Sequence, residues 1–259
     1  MKEAKVFVDT NGSHISMIDS YIAWTEITKE MSMLDAKDPY QNKVCKYCDG
    51  FEEIVSSKYG KIHCLCRLRT EEKMLMQINS IYADLHEKKY INDLQIWGDK
   101  ESQKELTLLK KSFIQWMEYP DHWLTIHGSP GSGKSHLLMA AAEYFKNWSL
   151  YITTSSLESR IFQAMEDENL QSLVDTIKRV PILLLDDIGS DYGKDFSRSV
   201  IRKIIDYRYM LAKQFPTITT TNMGLTGLVA YDPRIADRVR DTQIAKTFIL
   251  KHVLSWRTK

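Results

Sequence analysis

Gly128-Ser129-Pro130-Gly131-Ser132-Gly133-Lys134-Ser135 decides how this chain folds. The stretch fits G-x-x-x-x-G-K-[ST], the phosphate-binding P-loop. Its glycines permit backbone angles that other residues resist, so consecutive N–H groups can turn inward around phosphate oxygens. Lys134 reaches the β- and γ-phosphates in such a loop, and the Ser135 hydroxyl coordinates Mg2+. The next residues, His136 to Trp148, read as a helix whose N-terminal dipole favours an anion. Trp123-Leu-Thr-Ile-His127 just upstream is a short apolar, β-rich run. The loop is thus expected between a strand and a helix, as phosphate binding requires.

Downstream the chain alternates strand and helix patterns, the mark of a parallel α/β sheet. Strands are expected over 123–127, 150–153, 181–185, 216–221 and 246–250, with helices over 134–147, 156–167, 170–179 and 195–213. Ile182-Leu-Leu-Leu185-Asp186-Asp187 is an apolar strand running into two carboxylates, 51 residues after Ser135. Ligands of open α/β sheets gather at that strand edge. Asp186 fits the Walker-B role of holding Mg2+, mostly through water, and Asp187 can polarise an attacking water. Pro216-Thr-Ile-Thr-Thr-Thr221-Asn222 is a further β-rich run. A strand there, beside the Walker-B strand, brings Asn222 near the γ-phosphate; otherwise Asn222 is a turn residue.

Upstream, all four cysteines lie together as Cys45, Cys48, Cys64 and Cys66, a C-x2-C followed by a C-x-C. Clustered cysteines in a reducing compartment read as metal ligands, and two thiolate pairs on a hairpin make the tetrahedral site that Zn2+ prefers. Asp49-Gly50 and Tyr59-Gly60 are turn signals around a strand over 51–56, and His63 could replace one cysteine. Apolar residues at helical spacing suggest an amphipathic helix over about 14–36, packing on its own domain or docking a partner. A charged connector helix is expected over 67–90, a break over 92–98, and a helix from Glu101 to Met117 before Pro120.

The 259 residues, 43% hydrophobic and 27% charged with a net charge of +1, have an ordinary globular composition without a global basic field. No apolar run is long enough to span a membrane, and the N-terminus lacks the apolar core of a signal peptide. A cytoplasmic location is the expectation.

Walker A, the Asp-Asp Walker B followed by Ile188-Gly189, Thr-Thr-Asn ending at Asn222, and Arg234-Ile-Ala-Asp-Arg238-Val-Arg240 occur in that order. Over about residues 90–259 this resembles the AAA+ ATPases that include DnaC/DnaI-type helicase loaders, the DnaA initiator and the IstB transposition helper. The resemblance implies an α/β AAA+ P-loop NTPase with a five-stranded parallel sheet. It implies nucleotide contacts from Gly128 through His136. It makes Asn222 the sensor-1 residue and Arg238 an arginine finger serving a neighbouring subunit, hence a homo-oligomer. Arg234 and Arg240 flank that finger, or form a solvated basic helix face with it, and Arg257 is a loose sensor-2 match. Asp187 stands where many AAA+ enzymes carry Glu, which fits slow hydrolysis and a switch more than a motor.

Nineteen residues follow Arg240, too few for a helical lid domain or a DNA-binding helix-turn-helix, so no C-terminal lid is expected. A cysteine module ahead of such an ATPase resembles bacterial and phage DnaC-like proteins. The implied organisation is a helicase-interaction and zinc module over 1–66, a helical linker over 67–92 and the ATPase domain over 93–259. The implied activity is ATP-dependent loading of a replicative DNA helicase onto single-stranded DNA, with ATP, Mg2+ and Zn2+ as cofactors. An IstB-like helper of a transposase and a nucleotide-gated adaptor are the alternatives. From Arg234 to Lys259 the chain carries seven Lys/Arg and two Asp, interleaved with Phe248, His252 and Trp256. Such a mixture suits single strands. The stretch 155–179, with Arg160, Phe162, Lys178 and Arg179, lies where the group has DNA-contacting elements.

Overall fold

A computed structural model describes Ser20, residues 53–56, 60–84, 87–190 and 195–258. The expected helix over 14–36, Cys45 and Cys48 fall outside the described residues, apart from Ser20. The chain divides into two compact units between Gln77 and Ile78.

The first unit contains a hairpin of β1 (Glu53–Ser56) and β2 (Gly60–His63), antiparallel with Glu53 opposite His63. Helix α1 (Leu65–Tyr82) follows directly. Cys64 and Cys66 flank its start, and both are buried.

The second unit begins with the end of α1, and α2 (Lys100–Glu118) follows a short 3-10 turn at Ile91–Asp93. Asp99 caps α2 by accepting the Ser102 N–H at 2.8 Å. The alternating part runs β3 (Trp123–Gly128), α3 (Lys134–Phe145), β4 (Ser149–Thr153), α4 (Thr154–Glu166), α5 (Leu170–Arg179) and β5 (Ile182–Asp186). It continues through α6 (Asp195–Met210), β6 (Thr217–Thr221), α7 (Leu225–Tyr231), α8 (Pro233–Val239) and β7 (Ala245–Leu250). The five strands order β4-β5-β6-β3-β7, and every pair is parallel. This is the expected five-stranded parallel sheet. Strands β3 to β6 are buried almost throughout, which explains their apolar or threonine-rich runs without alternation. One cluster around Leu150, Ile161, Ile177, Leu183, Ile204 and Val239 fills one face. Past β7, the described residues hold only a short segment with a 3-10 turn at Trp256–Thr258.

Several boundaries differ from the periodicity. The connector helix, expected to 90, ends at Tyr82. There the chain turns to β4, where the Asp84 N–H donates to Tyr151 O at 2.9 Å and its carboxylate accepts from Thr153 N at 2.8 Å. Helix α6 stops at Met210 rather than 213, because Leu211 and Ala212 close a turn onto Arg208 and Tyr209. Helices α7 and α8 had no strong periodic signal at seven residues each. Their signal is chemical. Asp232 caps α8, accepting from Arg234 N and Ile235 N at 2.9 and 3.0 Å, and Pro233 sits in the first helical turn. Arg202 of α6 pins the same carboxylate at 2.9 Å.

Candidate functional site

The P-loop leaves β3 at Gly128 and enters α3 at Lys134. Gly131 and Gly133 have φ of 79° and 94°, where a side chain is strained. A Cβ on Gly131 would also lie 2.2 Å from Ser255 Oγ. The segment after β7 therefore packs on the loop. Trp256 N donates to Gly131 O at 3.0 Å, and Ser129 Oγ donates to Val253 O at 2.9 Å.

Lys134 is 5% exposed and its ammonium is fully used. It donates to Gly128 O at 2.8 Å, Ser129 O at 2.9 Å, Ser132 Oγ at 3.3 Å and Asn222 Oδ1 at 2.8 Å. Burial lowers its pKa, against the pull of Asp187 and Asp186, which raise it. Asn222 Nδ2 in turn donates to Asp187 Oδ1 at 2.6 Å. Lysine only donates and carboxylate only accepts, so the amide orientation is fixed. The bridge exists because β5 and β6 are neighbours, with Leu185 opposite Thr219, and both strands end at this edge.

Asp187 adopts φ 58°, a left-handed conformation that Asp tolerates better than most residues. Burial, then the adjacent Asp186, pushes its carboxyl above the ordinary value. Asp186 is 3% exposed. Tyr151 of β4 donates to its Oδ2 at 3.0 Å and Thr220 of β6 to its Oδ1. His127, the residue before Gly128, is buried and donates from Nδ1 to Met223 O at 3.0 Å, tying the P-loop strand to the loop after Asn222. Burial lowers its pKa, so it is a neutral strut.

These groups line a cavity of about 740 Å3. The structure brings Pro130, Gly131, Gly133, Lys134, Ser135, His136, Asp186, Asp187 and Asn222 onto its wall, together with Arg257. His136 meets Tyr90 O at 3.0 Å. Leu94 and Trp97, which sequence reasoning missed, form an apolar side with Trp256, which was read there only as an aromatic suited to single-stranded DNA. Trp97 lies in the stretch read only as a break. Its ring meets Trp256 edge-on at 5.3 Å between centroids, and Trp97 Nε1 donates to Leu254 O at 3.2 Å. Cation-bearing, acidic and aromatic groups share this wall, a mixture that suits a nucleotide.

Arg238 is not on this wall. It lines a separate surface cavity with Arg234, Asp206, Tyr209, Met210 and Asp237. Its guanidinium stacks 4.3 Å from the Tyr209 ring centroid and reaches Asp206 at 3.4 Å and Asp237 at 3.0 Å. Arg240 lies near enough to His127 to help depress its pKa. Arg160 is spent internally, donating to Ile81 O at 2.8 Å and Ala83 O at 3.4 Å, while Lys178 lies over the Tyr207 ring and 3.6 Å from Asp175. Phe248 is buried. Of the expected thiolate set, Cys64 and Cys66 are described and stand two residues apart, and no metal-holding cluster occurs among the described residues.

Residues 110–219 match the family described as the bacterial DnaA ATPase domain. The replicative helicase loader DnaC of Buchnera aphidicola is 24% identical over 55% of this chain and 60% of its own length. The replicative helicase loader DnaI of Bacillus subtilis is 27% identical over 39% of this chain and 33% of its own. The chain thus spans less than two thirds of either protein. The structure of AMPPCP-bound DnaA from Aquifex aeolicus superposes with a TM-score of 0.53 at 22% identity, over 63% of this chain and 51% of that one. The AAA+ resemblance carried by the motifs is therefore borne out, and the fold is that of the DnaA ATPase region.

Proposed function

We propose that this chain is an ATP-dependent loader of a replicative DNA helicase, acting in the cytoplasm of a bacterium and encoded by the host or a phage. The observation that carries the nucleotide reading is the continuous link Lys134–Asn222–Asp187 beside Asp186, at the C-terminal edge of β5 and β6. A buried lysine held by four neutral oxygens on the wall of a cleft has the charge and placement to take a phosphate. With nucleotide bound, Lys134 would exchange the carbonyls of Gly128 and Ser129 for phosphate oxygens, and the loop's N–H groups would donate to the phosphates. The Ser135 hydroxyl and Asp186 carboxylate have the oxygen chemistry to hold Mg2+, which neutralises phosphate charge. Asp187 accepts a proton from water, oriented by Asn222. Leu94, Trp97 and Trp256 receive the base of ATP.

Arg238 lies outside its own cleft, which supports a role as arginine finger toward a neighbouring protomer in a homo-oligomer. The helicase and single-stranded DNA as partners rest on the relatives named as loaders. Within this reading, residues 1–66 form the helicase-interaction and zinc module, 67–92 the linker and 93–259 the ATPase. Cys45, Cys48, Cys64 and Cys66 hold Zn2+ structurally. The buried C-x-C at the start of α1 supplies half of that set.

Copurification with a hexameric replicative helicase in ATP and in ADP tests the proposal. An ATP-dependent complex that delivers the helicase to a DNA circle is expected. No complex with the helicase, alongside robust binding of a transposase, would replace it with the transposition-helper reading.

A further inference from the structure

The carboxylate of Asp186 is gripped from both sides of its strand. On one side, Tyr151 of β4 reaches forward from its register position opposite Leu184 and donates to Oδ2 at 3.0 Å. On the other, Thr220 of β6 donates to Oδ1. The Thr220 hydroxyl also accepts the Asp187 N–H at 2.8 Å. That N–H can only donate, so the hydroxyl proton is committed to Asp186. Tyr151 and Thr220 are both buried. A buried hydroxyl costs stability unless it is hydrogen-bonded, and these two meet the same acceptor.

We infer that Tyr151 and Thr220 are positioning residues for Asp186, fixing its carboxylate plane so that the remaining lone pairs face the phosphate side of the cleft. The second torsion of Asp is broad and soft. Two hydroxyls on opposite flanks, each taking one site on one oxygen, remove that freedom. Each oxygen keeps a further acceptor site for a metal-bound water. The backbone is held too, since Thr154 Oγ1 donates to Asp186 O at 3.1 Å. The inference rests on the reading of Asp186 as the magnesium-side carboxylate.

The test uses the full chain and its Tyr151→Phe, Thr220→Val and Thr220→Ser variants. ATP binding is measured by equilibrium titration, once with chelator and once across a Mg2+ series, alongside thermal unfolding. Tyr151→Phe and Thr220→Val should each raise the Mg2+ concentration at half-maximal effect about tenfold, with metal-free ATP binding changed by less than about twofold. Thr220→Ser keeps the hydroxyl and should behave as the unsubstituted chain. Melting shifts without any change in the Mg2+ midpoint would mean ordinary packing hydrogen bonds and overturn the inference. ATP binding by the unsubstituted chain that ignores Mg2+ would overturn the parent reading of Asp186, and this inference with it.

Discussion

Lys134 reaches Asp187 through a single side-chain amide: Asn222 accepts from the ammonium at 2.8 Å and donates to the carboxylate at 2.6 Å. One residue thus joins the P-loop cation to the acid that follows β5. Asn222→Ala should leave ATP binding nearly intact and lower turnover by about 10²-fold, the scale of losing one preorganised polar contact. Steady-state hydrolysis and equilibrium binding on the same preparation separate the two effects.

Lys134→Ala removes a charged donor from the phosphate end of the cleft. ATP affinity should fall by roughly 1.5–3 kcal/mol, about 10- to 150-fold. The pH dependence has a defined sign. Burial lowers the Lys134 pKa below 10.5, and the protonated form binds phosphate. Affinity should therefore decline as pH rises through that lowered value, before an exposed lysine would titrate. In the nucleotide-free chain the burial penalty is fully present below the folded pKa. It is relieved as pH climbs toward 10.5, so this residue's contribution to stability improves over that interval. Calorimetric titration against pH checks the binding limb.

Asp187→Asn should keep nucleotide binding and cost about 10²- to 10⁴-fold in turnover, the range for a general base. Burial and the charge of Asp186 raise the Asp187 pKa above 3.8 in the free protein. The acid limb of kcat/KM should thus lie above that value. A folded-state pKa raised this way favours the protonated carboxyl, so stability from this residue is gained as pH falls through it. A pH–rate profile with an acid limb at or below 3.8 would contradict the assignment.

Arg238→Ala should bind ATP normally yet lose about 10³- to 10⁵-fold in assembly-dependent turnover. A mixing experiment reads this directly. Arg238→Ala protomers supply intact nucleotide clefts, and Lys134→Ala protomers supply intact Arg238. Mixed, they should recover hydrolysis that neither shows alone. No recovery in a mixed oligomer would leave Arg238 as a surface cation held by Tyr209 and Asp206.

Purified protein should carry zinc, and Cys64→Ser or Cys66→Ser should release it. Because metal binding supplies folding energy to small modules, a zinc-selective chelator, added with Mg2+ in excess, should melt the N-terminal unit at a lower temperature without altering ATP binding. Metal analysis by atomic emission, with the melting curve, checks both.

The sequence was most legible where chemistry and regular structure coincide. The P-loop fixes its own backbone, and Ile182–Asp186 announces a buried strand ending in acid, so Lys134, Asp186 and Asp187 could be read from the residues, whereas Asn222 was a turn residue or a neighbour of the phosphates until the family resemblance placed it. The pairing of Trp97 and Trp256 could not be read. They are 159 positions apart and belong to irregular segments. Only the packing of the post-β7 segment onto Gly131 brings them together. Tyr151 and Thr220 looked like ordinary strand residues, since a hydroxyl aimed at a neighbouring strand leaves no periodic trace. The connector helix was overrun because its polar continuation resembles a solvated helix face, whereas Asp84 leaves the helix to satisfy β4.

That departure has a consequence for the edge of the sheet. Strand β4 is an end strand of the sheet, and its outward polar groups alternate along it. They are taken in turn: Asn79 Nδ2 holds Asn147 O at 3.1 Å and Ser149 O at 3.0 Å, and Asp84 takes Tyr151 O and Thr153 N. An open strand edge is a template on which another chain can stack without limit. On the β4 edge the template is already full, so this side of the sheet offers no backbone groups on which another chain's strand could grow.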